Sequence, residues 1–303
     1  RRMFVPYFLL PLYLMQQGRH NYARTRIFES TLNAASSGTI TAAEIRRYAT
    51  RKPRRWIPDI LHYTSRAFSK NLALTERKKA KTKFFKTLAG EISSLQPSLK
   101  GSDYTAYYDL KEENFGFEPS PGWTAKNRGV YESIQRFQPE TFLDVGCNTG
   151  WFSILASKMG CRVVAFDIDE ACVDTLYLRA KKEHLNILPL LLDFNRMKEA
   201  VYPKAPDNVT RQSPIENHTP LLLAADKRLK CDMVLALAII HHLVLGQGQS
   251  FTQVIELLSS LSNKYLILEF IPLNDRLILG EPDFFPAFSS NPDRFEWYTR
   301  ENL

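Results

Sequence analysis

The sequence predicts an α/β fold built on a parallel sheet, and three observations predict it. Short apolar runs without polar alternation, such as residues 142–145, are typical of strands that helices cover on both faces. From residue 126 onward these runs alternate with segments of helical spacing, the order that produces parallel strands joined by crossover helices. A turn from Gly146 to Gly150 links the first run to a helical segment, and α/β sheets bind nucleotide-like ligands at such turns.

Each element follows from its local pattern. Apolar spacing predicts helices over residues 126–137, 153–159, 170–184 and 249–261, and apolar runs predict strands over residues 142–145, 162–166, 186–192, 233–238 and 265–270. A proline-rich insertion over residues 195–230 separates the third and fourth strands. Loops of this length are usually functional lids or mobile segments, and we favour a mobile one that a ligand could order. The chain ends on a helix-like pattern over residues 298–303.

The composition of the glycine turn restricts its ligand. A dinucleotide fingerprint has the spacing G-x-G-x-x-G, whereas Gly146 and Gly150 are separated by three other residues and no phosphate-binding lysine follows. An acid, Asp144, stands two residues before the first glycine. Its carboxylate would repel a pyrophosphate but suits a ligand with an ammonium group and a sulfonium.

The chain from Asp144 onward resembles the class I, Rossmann-like methyltransferases over about 130 residues. Five segments match that family's strand motifs in order: Asp144-Val-Gly146-Cys-Asn-Thr-Gly150, Val163-Val-Ala-Phe-Asp167-Ile-Asp169, Leu190-Leu-Leu-Asp193-Phe194, Asp232-Met-Val-Leu-Ala-Leu-Ala-Ile-Ile-His241-His242-Leu243 and Tyr265-Leu-Ile-Leu-Glu269-Phe-Ile-Pro272. The likeness is greatest to a bacterial branch that includes nodulation-associated methyltransferases. Members of the class add two antiparallel strands after the fifth strand, for which too few residues follow residue 270, so we expect those strands to be missing from this chain.

The resemblance implies S-adenosyl-L-methionine as the cofactor. The first motif contributes the acid and the loop residues Asp144, Gly146, Cys147, Asn148 and Gly150. The main-chain carbonyls of Ala236 and Leu237, at the end of the fourth strand, are expected to accept from the methionine ammonium group.

Two further acids are assigned to the nucleoside. Asp167 ends the second strand and can accept hydrogen bonds from both ribose hydroxyls; we prefer it to Asp169, which we expect in the following turn. Asp193 is expected to accept from the adenine amino group while the Phe194 backbone N–H meets a ring nitrogen. The alternative for Asp193 is a simple loop cap.

Two adjacent histidines, His241 and His242, follow the fourth strand and are the candidate catalytic residues. Histidine titrates near neutrality, so either ring could act as a base towards a hydroxyl or carboxyl acceptor. We expect the two rings to face different ways, so that at most one contacts the substrate. The alternative is a buried histidine that shapes the pocket floor. Glu269, at the end of the fifth strand, is a candidate for either substrate binding or structure.

The N-terminal third has a different character. Residues 1–100 contain 20 Lys and Arg against 5 Asp and Glu, a net charge of +15, which leaves −7 for residues 101–303 of the total +8. Helical patterns cover residues 21–37, 41–48, 56–74 and 75–95, so we predict a basic helical region. An aromatic connecting segment over residues 101–125 leads to the methyltransferase domain over 126–303. The basic region could attract phosphates or anionic lipid, or it could be a solvated helical face.

The cysteine pattern and the N-terminus bear on the cellular setting. Four cysteines show neither a CxxC pair nor metal-ligand spacing, which favours reduced thiols in a cytoplasmic protein and predicts no metal site. The apolar block from Phe4 to Met15 is too short to cross a bilayer and is interrupted by Pro6 and Pro11.

Three functions remain open. The first is a methyltransferase acting on a small molecule by O- or N-methylation. The second is an RNA or other nucleic-acid methyltransferase that uses the basic region, although the fourth strand lacks the Asn/Asp-Pro-Pro-aromatic cluster that grips a flipped base. The third is a methyltransferase-like fold kept as a non-catalytic binding module. The oligomeric state is not predicted.

Overall fold

A computed structural model of the chain describes residues 73–94, 116–198, 224–280 and 285–303, together with Leu12 and Met15. The chain divides into two units. The first takes Arg1–Leu99 and Pro203–Asn217, and the second takes Lys100–Tyr202 and His218–Leu303.

Helix α1, Leu74–Ser94, belongs to the first unit and confirms the helix predicted over residues 75–95. Its lysine side chains at 78, 79, 81, 83 and 86 are exposed. The other predicted N-terminal helices fall outside the described residues except for the last two residues of the third, as do most of the aromatic segment and residues 199–223 of the insertion.

The second unit is built on five parallel strands in the order β3–β2–β1–β4–β5. The strands are β1 Thr141–Val145, β2 Arg162–Asp167, β3 Ile187–Leu191, β4 Cys231–Ala236 and β5 Ser262–Leu268. In the central strand, Asp144 lies opposite Ala165 of β2 and Leu235 of β4. The strand order reverses beside β1, so the carboxyl ends of β1 and β4 border the crevice where open α/β sheets bind ligands. The predicted Rossmann-like parallel sheet is confirmed.

The helices of this unit pack on both faces of the sheet, which explains why the strands lack polar alternation. Phe142 of β1 joins a buried cluster with Ile154 and Leu176, whereas its neighbour Leu143 joins the opposite cluster with Leu258. The helices are α2 Ala125–Phe137, α3 Trp151–Lys158, α4 Glu170–Lys182, α5 Ala225–Arg228, α6 Phe251–Leu261, α7 Arg276–Gly280 and α8 Pro286–Ser290.

Several boundaries differ from the prediction by up to three residues, and two differences near the chain's later strands have a visible cause. Strand β4 ends at Ala236 rather than at residue 238, because Ala238 takes a φ of 48° that turns the chain out of the sheet. The helix predicted over residues 298–303 is wrong: the chain there closes turns of the i→i+3 type, such as Leu303 N–H to the Arg300 carbonyl. The aromatic side chain of Tyr298 is buried against Phe251 and Phe270, and this packing gives residue 298 its apolar signal.

The structure also bears on the state of the cysteines and on membrane-spanning helices. All four cysteines lie in the described residues, and each is free and buried. In the same part of the chain, every helix is either too short or too polar to span a bilayer.

Candidate functional site

The loop from Gly146 to Gly150 leaves the carboxyl end of β1 and enters α3 through left-handed backbone, with φ of 70° at Gly146, 51° at Asn148 and 84° at Gly150. Space is restricted as well. A Cβ atom on Gly150 would lie 2.4 Å from Leu176 Cδ1, and one on Gly146 would lie 3.1 Å from Ile239 Cδ1. At position 150, glycine is therefore required both by the backbone conformation and by the close approach of α4.

Each backbone N–H from Gly146 to Gly150 donates to an acceptor within the protein. In chain order the acceptors are the Phe166 carbonyl for the first two, the Asp167 carboxylate, the Asn148 side chain and the Cys147 carbonyl. All five of these backbone N–H groups are therefore already paired within the protein. Phosphate groups are bound by such amides in nucleotide loops, and this loop has no free amide for a phosphate.

Two side chains of the loop, Cys147 and Asn148, are also engaged by the protein. Cys147 is buried in the cluster that contains Trp151. The pKa of its thiol is raised well above the ordinary value, chiefly because of this burial. The Asn148 side-chain oxygen accepts from Thr149 N–H and lies 3.6 Å from the Cys172 sulfur. These side chains therefore hold the shape of the loop.

Asp144 is a buried carboxyl with no ion-pair partner among the described residues; its relative exposure is 4%. Its Oδ2 accepts a hydrogen bond from Ser153 Oγ at 2.6 Å. Burial raises the pKa of Asp144 to about 7, the Ser153 hydrogen bond opposes that shift, and the negative charge of Asp167 adds to it. A cation placed beside Asp144 would favour its ionised form.

Asp167 lies at the end of β2, and each of its two carboxylate oxygens accepts a backbone hydrogen bond. Oδ2 accepts from Asn148 N–H at 2.8 Å, and Oδ1 accepts from Asp169 N–H at 2.9 Å. Burial raises its pKa. Asp169 lies in the turn as expected and caps α4, accepting from the backbone N–H groups of Ala171 and Cys172. Asp167 thus ties β2 to the glycine loop and has remaining lone pairs for a ligand.

The third strand ends at a second capped turn. Asp193 Oδ1 accepts from Asn195 N–H at 2.9 Å and caps the 3₁₀ turn Phe194–Arg196, while the Phe194 side chain is buried. The loop-cap alternative for Asp193 is therefore present in the structure. Since Asp193 is only half-buried, its second oxygen can still serve as an acceptor, and the adenine contact stays a prediction.

The carbonyls of Ala236 and Leu237, at the end of β4, differ in whether they already accept a hydrogen bond within the sheet. The Ala236 carbonyl already accepts from Glu269 N–H at 3.2 Å. Leu237 follows the strand and precedes the left-handed turn at Ala238, so its carbonyl lies outside the ladder. Of the two carbonyls, Leu237 is the better candidate for an ammonium group. Ile239, two residues further, packs against Gly146 and brings this segment to the glycine loop.

The two histidines lie together, and the expectation that they face different ways is wrong. Their ring centroids are 4.2 Å apart, and both rings also contact Phe285, at 5.6 Å from His241 and 5.4 Å from His242. His242 begins the π-helical turn His242–Gly246, and His241 is its N-cap residue. Burial lowers the pKa of His241 to about 3, far from the neutrality expected from the sequence, and it also lowers the pKa of His242.

An ion pair at this end of the sheet was missed by sequence reasoning. Lys126 Nζ lies 2.7 Å from Glu269 Oε1. Lys126 is placed by α2, whose start is fixed by a capping box between Thr124 and Asn127. Nothing in the local sequence marks Lys126, since its partner is at the end of a distant strand; only the position of Glu269 after β5 was informative.

Comparison with known proteins finds similarity to methyltransferases over part of the chain. Residues 123–266 match the model of a methyltransferase domain. The chain is similar to the nodulation protein NoeA of Rhizobium meliloti, with 28% identity over 57% of this chain and 36% of that protein. It is also similar to the ribosomal protein L11 methyltransferase of Thermotoga maritima, with 33% identity over 32% of this chain and 36% of that protein. The chain thus spans little more than a third of the length of these relatives.

Solved structures with a related backbone include two methyltransferases. One is the magnesium protoporphyrin IX methyltransferase of Synechocystis PCC 6803 with bound SAH, at 16% identity and a TM-score of 0.36, covering 59% of this chain and 73% of that one. The other is from Geobacter sulfurreducens, at 14% identity and a TM-score of 0.35, covering 62% and 83%.

Three observations point to the same kind of domain: the match to a methyltransferase domain, the strand order of the sheet, and the glycine loop that follows Asp144 at the end of β1. Residues 123–266 are therefore similar to a methyltransferase domain, and the sheet that they contribute to has the Rossmann-like strand order.

Proposed function

We propose that the protein is an S-adenosyl-L-methionine-dependent methyltransferase that methylates an oxygen or nitrogen atom of a small molecule. The observation that carries this proposal is the pairing of a buried, cation-free Asp144 with a loop whose amides are all occupied. Such a crevice favours a positively charged nucleoside over a phosphate-bearing one.

The residues of the crevice fit this cofactor. Its ammonium and sulfonium charges would compensate the Asp144 carboxylate, and its ribose hydroxyls would donate to Asp167, whose position the Asn148 and Asp169 amides already fix. When bound, the cofactor supplies an electrophilic methyl group that an acceptor's lone pair takes from sulfur. The protein's part in that reaction is chiefly to align the acceptor, and alignment alone can supply much of the rate.

The assignment of the ribose acid is tested by a matched pair of substitutions. Asp167→Ala should weaken binding of S-adenosyl-L-methionine tenfold or more, about 1.4 kcal/mol, because both ribose contacts are lost. Asp169→Ala removes the α4 cap and should lower stability by about 1 kcal/mol while leaving affinity close to wild type. Calorimetric titration and thermal unfolding measure the two effects. Equal affinity in the two variants would remove Asp167 from the cofactor site.

The histidines remain proposed catalytic residues, acting as neutral rings. Because burial keeps both in the uncharged form, either can accept a hydrogen bond from the acceptor at neutral pH. His241→Ala and His242→Ala should leave affinity for S-adenosyl-L-methionine intact and slow turnover once an acceptor is known. Normal turnover in both variants would end this role for the pair.

A nucleic-acid acceptor is the second candidate, and the exposed lysines of α1 favour it. Binding to mixed RNA should then weaken steeply between 50 and 200 mM salt. Binding that is absent or insensitive to salt would leave the small-molecule acceptor.

A further inference from the structure

Two buried polar atoms beside the end of β4 and β5 have no hydrogen-bond partner among the described residues. They are His241 Nδ1 and Glu269 Oε2. His241 is more than nine-tenths buried, with a relative exposure of 8%. Buried polar groups are nearly always paired in folded proteins, so each of these two atoms indicates a missing partner.

The surroundings place both atoms on the same side of the domain as the cofactor loop. Glu269 follows β5, and its N–H donates to the Ala236 carbonyl at the end of β4. His241 stands two residues after Ile239, which packs against Gly146. Neither atom is needed for the contacts proposed above with the nucleoside.

The carboxylate that carries one of the two atoms is already paired. The Lys126 ammonium lies 2.7 Å from Glu269 Oε1, and burial lowers the pKa of His241 and of His242, which favours their uncharged forms. Asp275 and Lys126 act on His241 with opposite signs. A second cation beside Glu269 would therefore lose its hydration next to a carboxylate that Lys126 already pairs.

We propose that Lys126, Glu269 and His241 form the methyl-acceptor subsite, which binds an uncharged acceptor through hydroxyl groups that donate to Glu269 Oε2 and His241 Nδ1. The proposal rests on the proposed function, since it names the acceptor chemistry of that same site. Glu269 and His241 touch the acceptor, whereas Lys126 is a positioning residue that orients the Glu269 carboxylate.

The test titrates three small molecules into protein that is saturated with S-adenosylhomocysteine. All three have the same cyclohexane ring and differ only in their two substituents. The probes are trans-1,2-cyclohexanediol, its dimethyl ether, and trans-1,2-diaminocyclohexane. The readout is the ring ¹⁵N signals of the six histidines, assigned for residue 241 by the His241→Gln variant. A merely structural role for these residues would leave the Nδ1 signal unmoved by any probe.

The diol is expected to shift the His241 Nδ1 signal with millimolar affinity, and the ether and diamine are expected to bind at least fivefold more weakly. Glu269→Gln and Lys126→Met should each weaken diol binding at least fivefold and leave S-adenosylhomocysteine affinity within twofold. The matched control is Glu140→Gln, an exposed glutamate paired with Arg162 at the amino ends of β1 and β2, which should change neither.

Other outcomes overturn the proposal. Tighter binding of the diamine would replace the uncharged acceptor with a cation, and equal binding of the ether would remove the hydroxyl donors. If S-adenosylhomocysteine binds but no probe moves His241, the subsite is wrong while the proposed function stands. If S-adenosylhomocysteine fails to bind, the proposed function is wrong, and the diol titration of the unloaded protein still decides the subsite.

Discussion

Asp144→Asn is expected to stabilise the protein at pH 8 and to weaken its binding of S-adenosyl-L-methionine. Burial raises the pKa of Asp144 from an ordinary 3.8 to about 7. Between these values the unfolded chain has lost the proton and the folded protein has kept it, so the free energy of unfolding falls as pH rises from about 4 to 7. Asparagine can still accept the hydrogen bond from Ser153 Oγ and carries no charge. The free energy of unfolding of the variant should therefore not fall over this pH range. At 1.36 kcal/mol per pKa unit, the gain at pH 8 is on the order of a few kcal/mol.

The affinity of the wild type should depend on pH through the same group. Only the ionised carboxyl attracts a cation, and its fraction rises from about one eleventh at pH 6 to about one half at pH 7 when the pKa is about 7. Calorimetry should therefore show about fivefold tighter binding of S-adenosyl-L-methionine at pH 7 than at pH 6. Asp144→Asn should bind at least tenfold more weakly at pH 7 and show no such dependence.

Asp232 provides a control of opposite sign at the other end of the sheet. Burial alone would raise the pKa of Asp232, but its hydrogen bonds to Lys264 and to the amides of Glu140 and Thr141 lower it below the ordinary value. Asp232→Asn should therefore destabilise the protein at pH 8 and leave cofactor affinity unchanged. Loss of stability in both variants would contradict our account of Asp144. In that account the carboxyl is protonated in the free protein and becomes ionised when a cation binds.

Gly150→Ala is expected to cost about 2–5 kcal/mol of stability. A residue with a Cβ at a φ of 84° loses about 1–2 kcal/mol, and the added carbon would lie 2.4 Å from Leu176 Cδ1 and 2.7 Å from Cδ2, an overpacking worth about 1–3 kcal/mol. Since the loop must shift to relieve the contact, cofactor affinity should fall as well. Denaturant unfolding measures the first effect and calorimetry the second.

Gly160 separates the two contributions. Its φ is 98°, yet a Cβ there would meet nothing within 4 Å, so Gly160→Ala carries the backbone cost without the clash. It should lose no more than about 2 kcal/mol and keep normal affinity. Adding Leu176→Val to Gly150→Ala removes the clashing Cδ atoms and should recover part of the binding. Equal losses in the Gly150 and Gly160 variants would show that the approach of α4 does not matter.

Local pattern was sufficient for the parts of the fold that depend on neighbouring residues. The apolar run Phe142–Val145, a strand buried on both faces, and the glycines around the turn predicted β1, the loop and the parallel sheet. The placement of Asp169 in the turn was also predicted, and its capping of α4 explains why residue 167 rather than 169 ends the strand. The end of β4 was displaced by two residues because the left-handed residue Ala238 intervened.

Tertiary pairing determined what the sequence did not predict. The amides of the glycine loop are occupied because β2 supplies the Phe166 carbonyl and the Asp167 carboxylate, which no local pattern reveals. The histidines stack because Phe285 packs on both, and the low pKa of His241 arises from that burial. The Lys126–Glu269 pair likewise depends on α2 lying beside the end of β5.

The central claim is that the crevice at the end of β1 binds a positively charged sulfur nucleoside and not a phosphate-linked one. Calorimetric titration of the wild-type protein with S-adenosyl-L-methionine and, separately, with NADH tests it most directly. We predict micromolar binding of S-adenosyl-L-methionine and no binding of NADH in the same range. Micromolar binding of NADH, or no binding of S-adenosyl-L-methionine, would contradict the account.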